Sequence, residues 1–92
     1  MFKVRRFAEG KLTVFAISGR LQDENLKQLE VLLGTNLQRA VLDLEEVSLA
    51  GREVIRFLAR CEENGAQLRN CPGYICEWIA KERAGGNLDG PS

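Results

Sequence analysis

The chain contains no histidine. That removes the commonest metal ligand and the commonest general base. Its three cysteines, Cys61, Cys71 and Cys76, are an odd number without the paired CxxC spacing of a zinc or redox site. The simplest role for them is that of small buried or half-buried hydrophobes. Charge of one sign is also missing, because 13 Lys+Arg balance 13 Asp+Glu. No long-range attraction for nucleic acid or an anionic membrane follows from such a balance. No apolar run approaches the roughly 20 residues of a membrane span. The opening MFKVRRFAEGKL is basic but lacks the apolar core of a signal peptide. The expectation is one small cytoplasmic domain, since 92 residues suffice for one core and no more.

What is present is hydrophobic periodicity. Phe2 to Phe7 alternates loosely, with Phe2, Val4 and Phe7 set against Lys3, Arg5 and Arg6, which predicts a half-exposed strand. Glu9-Gly10-Lys11 reads as a turn. Leu12 to Ser18 is rich in β-branched and aromatic residues and predicts a central strand ended by Gly19. Asp23 is the candidate N-cap of a first helix. Leu26, Leu29, Leu32 and Leu33 fall on one face of that helix, and Gly34 closes it. Arg39 to Leu44 predicts a strand covered on both faces or nearly so, with Glu45-Glu46 leaving the sheet.

Val54, Phe57, Leu58 and Cys61 then keep the i, i+3, i+4, i+7 spacing of a second helix, closed by Asn64-Gly65. Ala66 to Asn70 predicts a short parallel strand. Pro72 opens a third helix, where its missing N–H costs nothing. Ile75, Trp78 and Ile79 form its apolar stripe, with Tyr74 beside it. The domain is expected over residues 1–84, with the Gly-rich residues 85–92 as a disordered tail. The order β-β-α-β-α-β-α predicts an α/β domain. Its sheet is small, mixed and four-stranded, and about three helices pack mainly on one face.

Three segments in this order resemble the STAS domain family, the anti-sigma factor antagonists. Ile17-Ser18-Gly19-Arg20-Leu21 is similar to the family's exit from its second strand. Val41-Leu42-Asp43-Leu44-Glu45-Glu46-Val47-Ser48-Leu49 is similar to its strand leading to the regulatory turn. The spacing to Gly65-Ala66-Gln67-Leu68 and the Pro72-led helix completes the likeness, over Leu12 to Arg83. The resemblance implies a non-enzymatic protein-interaction domain in bacterial regulation, with an anti-sigma factor or related regulator as partner.

The family's turn usually continues Asp-Ser-Ser/Thr-Gly-Leu, and its first serine is the kinase target. In the register set by Val47 and Leu58, Gly51 stands at the Asp and Arg52 at the phosphoacceptor. Glu53 follows, and Val54 stands at the Gly. Arginine neither accepts phosphate from a serine kinase nor mimics phosphoserine. No phosphorylation switch is expected at this turn. The family's last strand and helix are also expected to be missing, leaving one sheet edge less protected.

The partner surface is therefore expected at Gly51, Arg52, Glu53 and Arg56, with Gln22 and Asp23 from the preceding loop. Two further readings stay open. A helix N-terminus beside Arg52 favours anions, which suits a module sensing small anions, nucleotides or lipids. Against it, Gly51 makes a turn and Arg52 is a solvated side chain or pairs with Glu45 or Glu46. Alternatively, Tyr74 and Trp78 form a docking or dimer face, set against their simpler role as core. Ser48 is the nearest hydroxyl to the turn, and a polar strand-exit residue is the plainer account of it. Asp43 at a strand end resembles a receiver phosphoacceptor, without the acidic cluster that chemistry needs. No nucleophile–base pair, metal set or phosphate loop converges, so neither catalysis nor a cofactor is expected.

Overall fold

The computed structural model describes residues 2–34 and 37–89. It is a mixed α/β domain in the order β-β-α-β-α-β-α. The strands are β1 (Phe2–Glu9), β2 (Leu12–Leu21), β3 (Ala40–Ala50) and β4 (Gln67–Arg69). The helices are α1 (Leu26–Leu33), α2 (Arg52–Glu63) and α3 (Gly73–Asp89). Spatial order follows sequence order, with β1–β2 antiparallel and β2–β3 and β3–β4 parallel. Gly10, at φ +65°, makes the two-residue turn between Glu9 and Leu12.

The alternation of β2 divides the sheet into two faces. Phe15 and Ile17 join Leu42, Leu44 and Val47 of β3 in one buried cluster. The helices supply most of the rest of it, with Leu29 and Leu33 from α1, Val54, Ile55, Phe57, Leu58, Ala59 and Cys61 from α2, and Ile75 and Ile79 from α3. Burying one such side chain contributes roughly 1.5–3 kcal/mol. That exceeds the few tenths that separate most helix propensities. An eight-residue α1 is too short to persist alone and exists because Leu29 and Leu33 are buried.

Among the described residues, no helix of this cluster lies on the opposite face. Val14 and Val41 are paired neighbours there, fully buried yet outside the main core. Phe2, Val4 and Leu68 pack on the helix side, so Glu9 and Arg69 project to this second face. The two meet at 2.9 Å. Since β1 and β4 are the sheet's edges, this ion pair reaches across both central strands above the valines. The Arg69 guanidinium holds the Glu9 carboxyl below its ordinary range by hydrogen bond and charge.

Six expectations change. β3 is covered by helices on one face only, and its second face is closed by side chains of the sheet itself. β3 also runs on to Ala50, so Glu45 and Glu46 are exposed strand residues rather than an exit. β2 likewise continues through Gly19 to Leu21, with register shifts beside Ser18 and Gly19. The positive φ of Gly19, +96°, accommodates that irregularity. Leu32 leaves the α1 stripe and is 43% exposed, because 8 residues bury only one narrow face. In β1, Phe7 points to the second face with Lys3 and Arg5, and Arg6 shares the side of Phe2 and Val4. Residues 85–89, expected in the tail, continue α3, and residues 90–92 lie outside the described residues.

Candidate functional site

The end of the sheet where β2 and β3 both stop collects most of the residues singled out from sequence. Leu21 pairs with Ala50, and the Gly51 N–H donates to the Leu21 carbonyl at 2.8 Å. Gly51 is the N-cap of α2, in extended conformation at φ −74° and ψ 168°. Its carbonyl accepts the first helical bond, from Ile55 N–H at 2.9 Å. A glycine has no side chain to accept from the free N–H groups of the first turn.

Asp23 supplies that acceptor from thirty residues upstream. Its Oδ1 accepts from Glu53 N–H at 2.9 Å and from Val54 N–H at 3.4 Å. A carboxylate at this end also meets the positive end of the helix dipole. The close approach explains the glycine. A Cβ at position 51 would overlap the Asp23 carboxylate and lie 3.1 Å from its backbone nitrogen.

Asp23 was expected to cap α1, and it caps α2 instead. A short 3₁₀ turn over Asp23–Asn25 precedes α1. There the Gln22 N–H donates to Asn25 Oδ1 at 3.1 Å, and the Asn25 N–H to the Gln22 carbonyl at 2.8 Å. Asn25 closes this turn and leaves Asp23 free to reach α2. The anion-binding reading of the α2 start is altered by the same contact, since two first-turn N–H groups already face a carboxylate of the chain itself.

Around this built junction the charged side chains point outward. Arg52 and Glu53 are exposed, and among the described residues Arg52 makes no ion pair, with Glu45 and Glu46 or with others. Arg56 is committed within the chain. It lies 3.5 Å from Glu53 and 3.3 Å from Glu82, which ties α2 to α3. Arg83 adds contacts of 2.9 Å to Glu62 and 3.7 Å to Glu63. The cavity of about 310 Å³ between these helices is therefore lined by charges of both signs.

The Tyr74–Trp78 face is joined to the same end. The Tyr74 hydroxyl donates to the Ser48 carbonyl at 2.6 Å, two residues before Ala50. Tyr74 is 52% exposed, and Trp78 is half-buried against the core beside buried Ile75 and Ile79. The stripe is thus divided, with its isoleucines core and its aromatics toward the surface. Ser48 itself is exposed on β3. Leu49 is a further member that periodicity did not single out. It is 44% exposed at the last turn of β3, opposite Arg20 of β2. Only the true length of β3 places it beside the α2 start.

Asp43 lies on the second face, where its Oδ1 accepts from the Glu45 N–H at 3.1 Å and from the Asn70 amide at 3.4 Å. Among the described residues no three Cys, Asp or Glu side chains gather as a metal site. No helix there is long and apolar enough to cross a membrane. No family model and no curated protein matches this chain.

Proposed function

We propose that the chain is a non-catalytic protein-interaction domain of STAS-like type. It docks a regulatory protein, such as an anti-sigma factor, through the end of the sheet where α2 begins. The observation that carries this reading is the internal cap. With Asp23 already bonded to the first turn of α2, the junction is preformed and two of its N–H groups are taken within the chain. What it offers outward is Arg52 and Glu53, flanked by the exposed apolar surface of Leu49 and Tyr74. Charged groups around partly apolar anchors suit a protein partner better than a small molecule. Arg52 in place of a phosphoacceptor makes the contact constitutive rather than switched by a serine kinase.

Calorimetry with an anti-sigma factor as titrant tests the proposal. The expected result is binding that weakens at least tenfold in Arg52→Glu, about 1.4 kcal/mol, with the fold unchanged by circular dichroism. Equal binding by both proteins would remove this surface from the account. Incubation with a cognate serine kinase is expected to leave the turn unmodified, and phosphate at Ser48 would contradict the unswitched contact.

A further inference from the structure

The sheet face turned away from the helices carries its charges in separate columns. In the register of β1 with β2, Lys3 stands opposite Ser18 and Arg5 opposite Ala16. In the register of β2 with β3, the same Ser18 stands opposite Glu46 and the same Ala16 opposite Asp43. Glu45 lies between those two acids, at the register shift. Each rung thus runs from a base on β1, across a small residue of β2, to an acid on β3. Between the columns is a trough of about 250 Å³, lined by Arg5, Ala16, Ser18, Glu45 and Glu46 among others. Lys3, Arg5, Glu45 and Glu46 are exposed, and among the described residues they enter no ion pair. Phe7, on the next rung of β1, is 43% exposed.

We propose that this face binds a second copy of the chain, as a symmetric dimer with its two-fold axis along β2. A half-turn about that axis lays β1 of one copy over β3 of the other and keeps every residue at the height of its own rung. Lys3 and Arg5 then face Glu46 and Asp43 of the second copy, and symmetry makes the contact twice. The strands of the two sheets stay aligned, as in face-to-face sheet packing. A half-turn about an axis across the strands would instead set β1 on β1 and β3 on β3. Base would meet base and acid would meet acid, which like-charge repulsion opposes. The charge pattern therefore selects both the occupant and its orientation. With 13 Lys+Arg and 13 Asp+Glu, the chain has no net charge to hold two copies apart. Ala16 and Ser18 leave room along the axis for close approach, and Phe7 adds apolar surface. This face shares no residue with the docking end at α2.

Sedimentation equilibrium of the full chain tests the proposal. The wild-type protein is expected to pass reversibly from monomer to dimer with concentration, and to associate more weakly as sodium chloride is raised. One variant, Lys3→Glu with Arg5→Glu, makes both columns acidic. A second, Glu45→Lys with Glu46→Lys, turns the β3 column basic to match β1. All four positions are exposed, so neither variant disturbs the core. Each alone is expected to self-associate at least tenfold more weakly than wild type, with an unchanged circular dichroism spectrum. Mixed in equal amounts, the two are expected to regain a dimer with one chain of each kind. A wild-type chain that stays monomeric at millimolar concentration would overturn the proposal. So would single variants that dimerise as tightly as wild type, or two folded variants that fail to associate when mixed.

Discussion

The starts of α2 and α3 solve one problem in two ways. Each must leave a strand or loop and settle the unpaired N–H groups of a first turn. At α2 the solution is long-range and polar. A carboxylate thirty residues away occupies the helix end, and a glycine makes room for it. At α3 the solution is local. Proline leads in, and a tyrosine reaches back to the sheet. The difference separates their roles. The α2 start is held by a contact between distant parts of the chain. The α3 start is held by its own first turn and one bond back to the sheet.

The comparison is broken most easily at Gly51. Gly51→Ala is expected to destabilise by about 2 kcal/mol, the usual scale for forcing atoms into a filled site, read from urea unfolding. Gly73, at the α3 start, has nothing within 4 Å of an added Cβ. Gly73→Ala is expected to change stability by less than about 0.5 kcal/mol, as for an unobstructed surface position. Asp23→Ala should cost about 1 kcal/mol, the scale of a lost helix cap. It should also speed amide exchange at Glu53 and Val54 while leaving Ile75 and Cys76 unchanged.

Tyr74→Phe sharpens the α3 side. It removes one hydroxyl bond to Ser48 in an exposed setting, with an expected loss of about 0.5–1 kcal/mol and faster exchange near residue 48. The smallest effect belongs to the second sheet face, far from both starts. Glu9 has its carboxyl pKa lowered by Arg69. A lowered folded-state value means that its contribution to stability is present above the ordinary glutamate range. It is lost as pH falls through that lower value. Nuclear magnetic resonance titration of Glu9 is expected to return to the ordinary value in Arg69→Gln. An unchanged titration would detach the two edge strands' side chains from one another.

Those elements that depend on local periodicity were legible in the sequence. The buried set of α2, including Val54, Phe57, Leu58 and Cys61, follows from spacing alone, as do Ile75 and Ile79. The element order and mixed sheet follow with them. What periodicity missed was set by distant partners. Glu45 and Glu46 look like a strand exit because charge is read locally, but β3 continues because β2 pairs with it as far as Leu21. Asp23 looks like the cap of the next helix because capping rules are local. Its real acceptor role needs the ends of β2 and β3 side by side. Leu32 has the right spacing but no neighbour to cover it. The candidate site was legible as a set of positions, Gln22, Asp23, Gly51, Arg52 and Glu53, and not as the internal contact that organises them.

That contact is best tested by a double-mutant cycle on Asp23 and Gly51, followed by urea unfolding. If the carboxylate occupies the space a Cβ would need, Gly51→Ala should cost much less in the Asp23→Ala background. The expected coupling is about 1 kcal/mol, within the range for residues in contact. A Gly51→Ala penalty of the same size in both backgrounds would contradict the account, and Asp23 would no longer be what holds the start of α2.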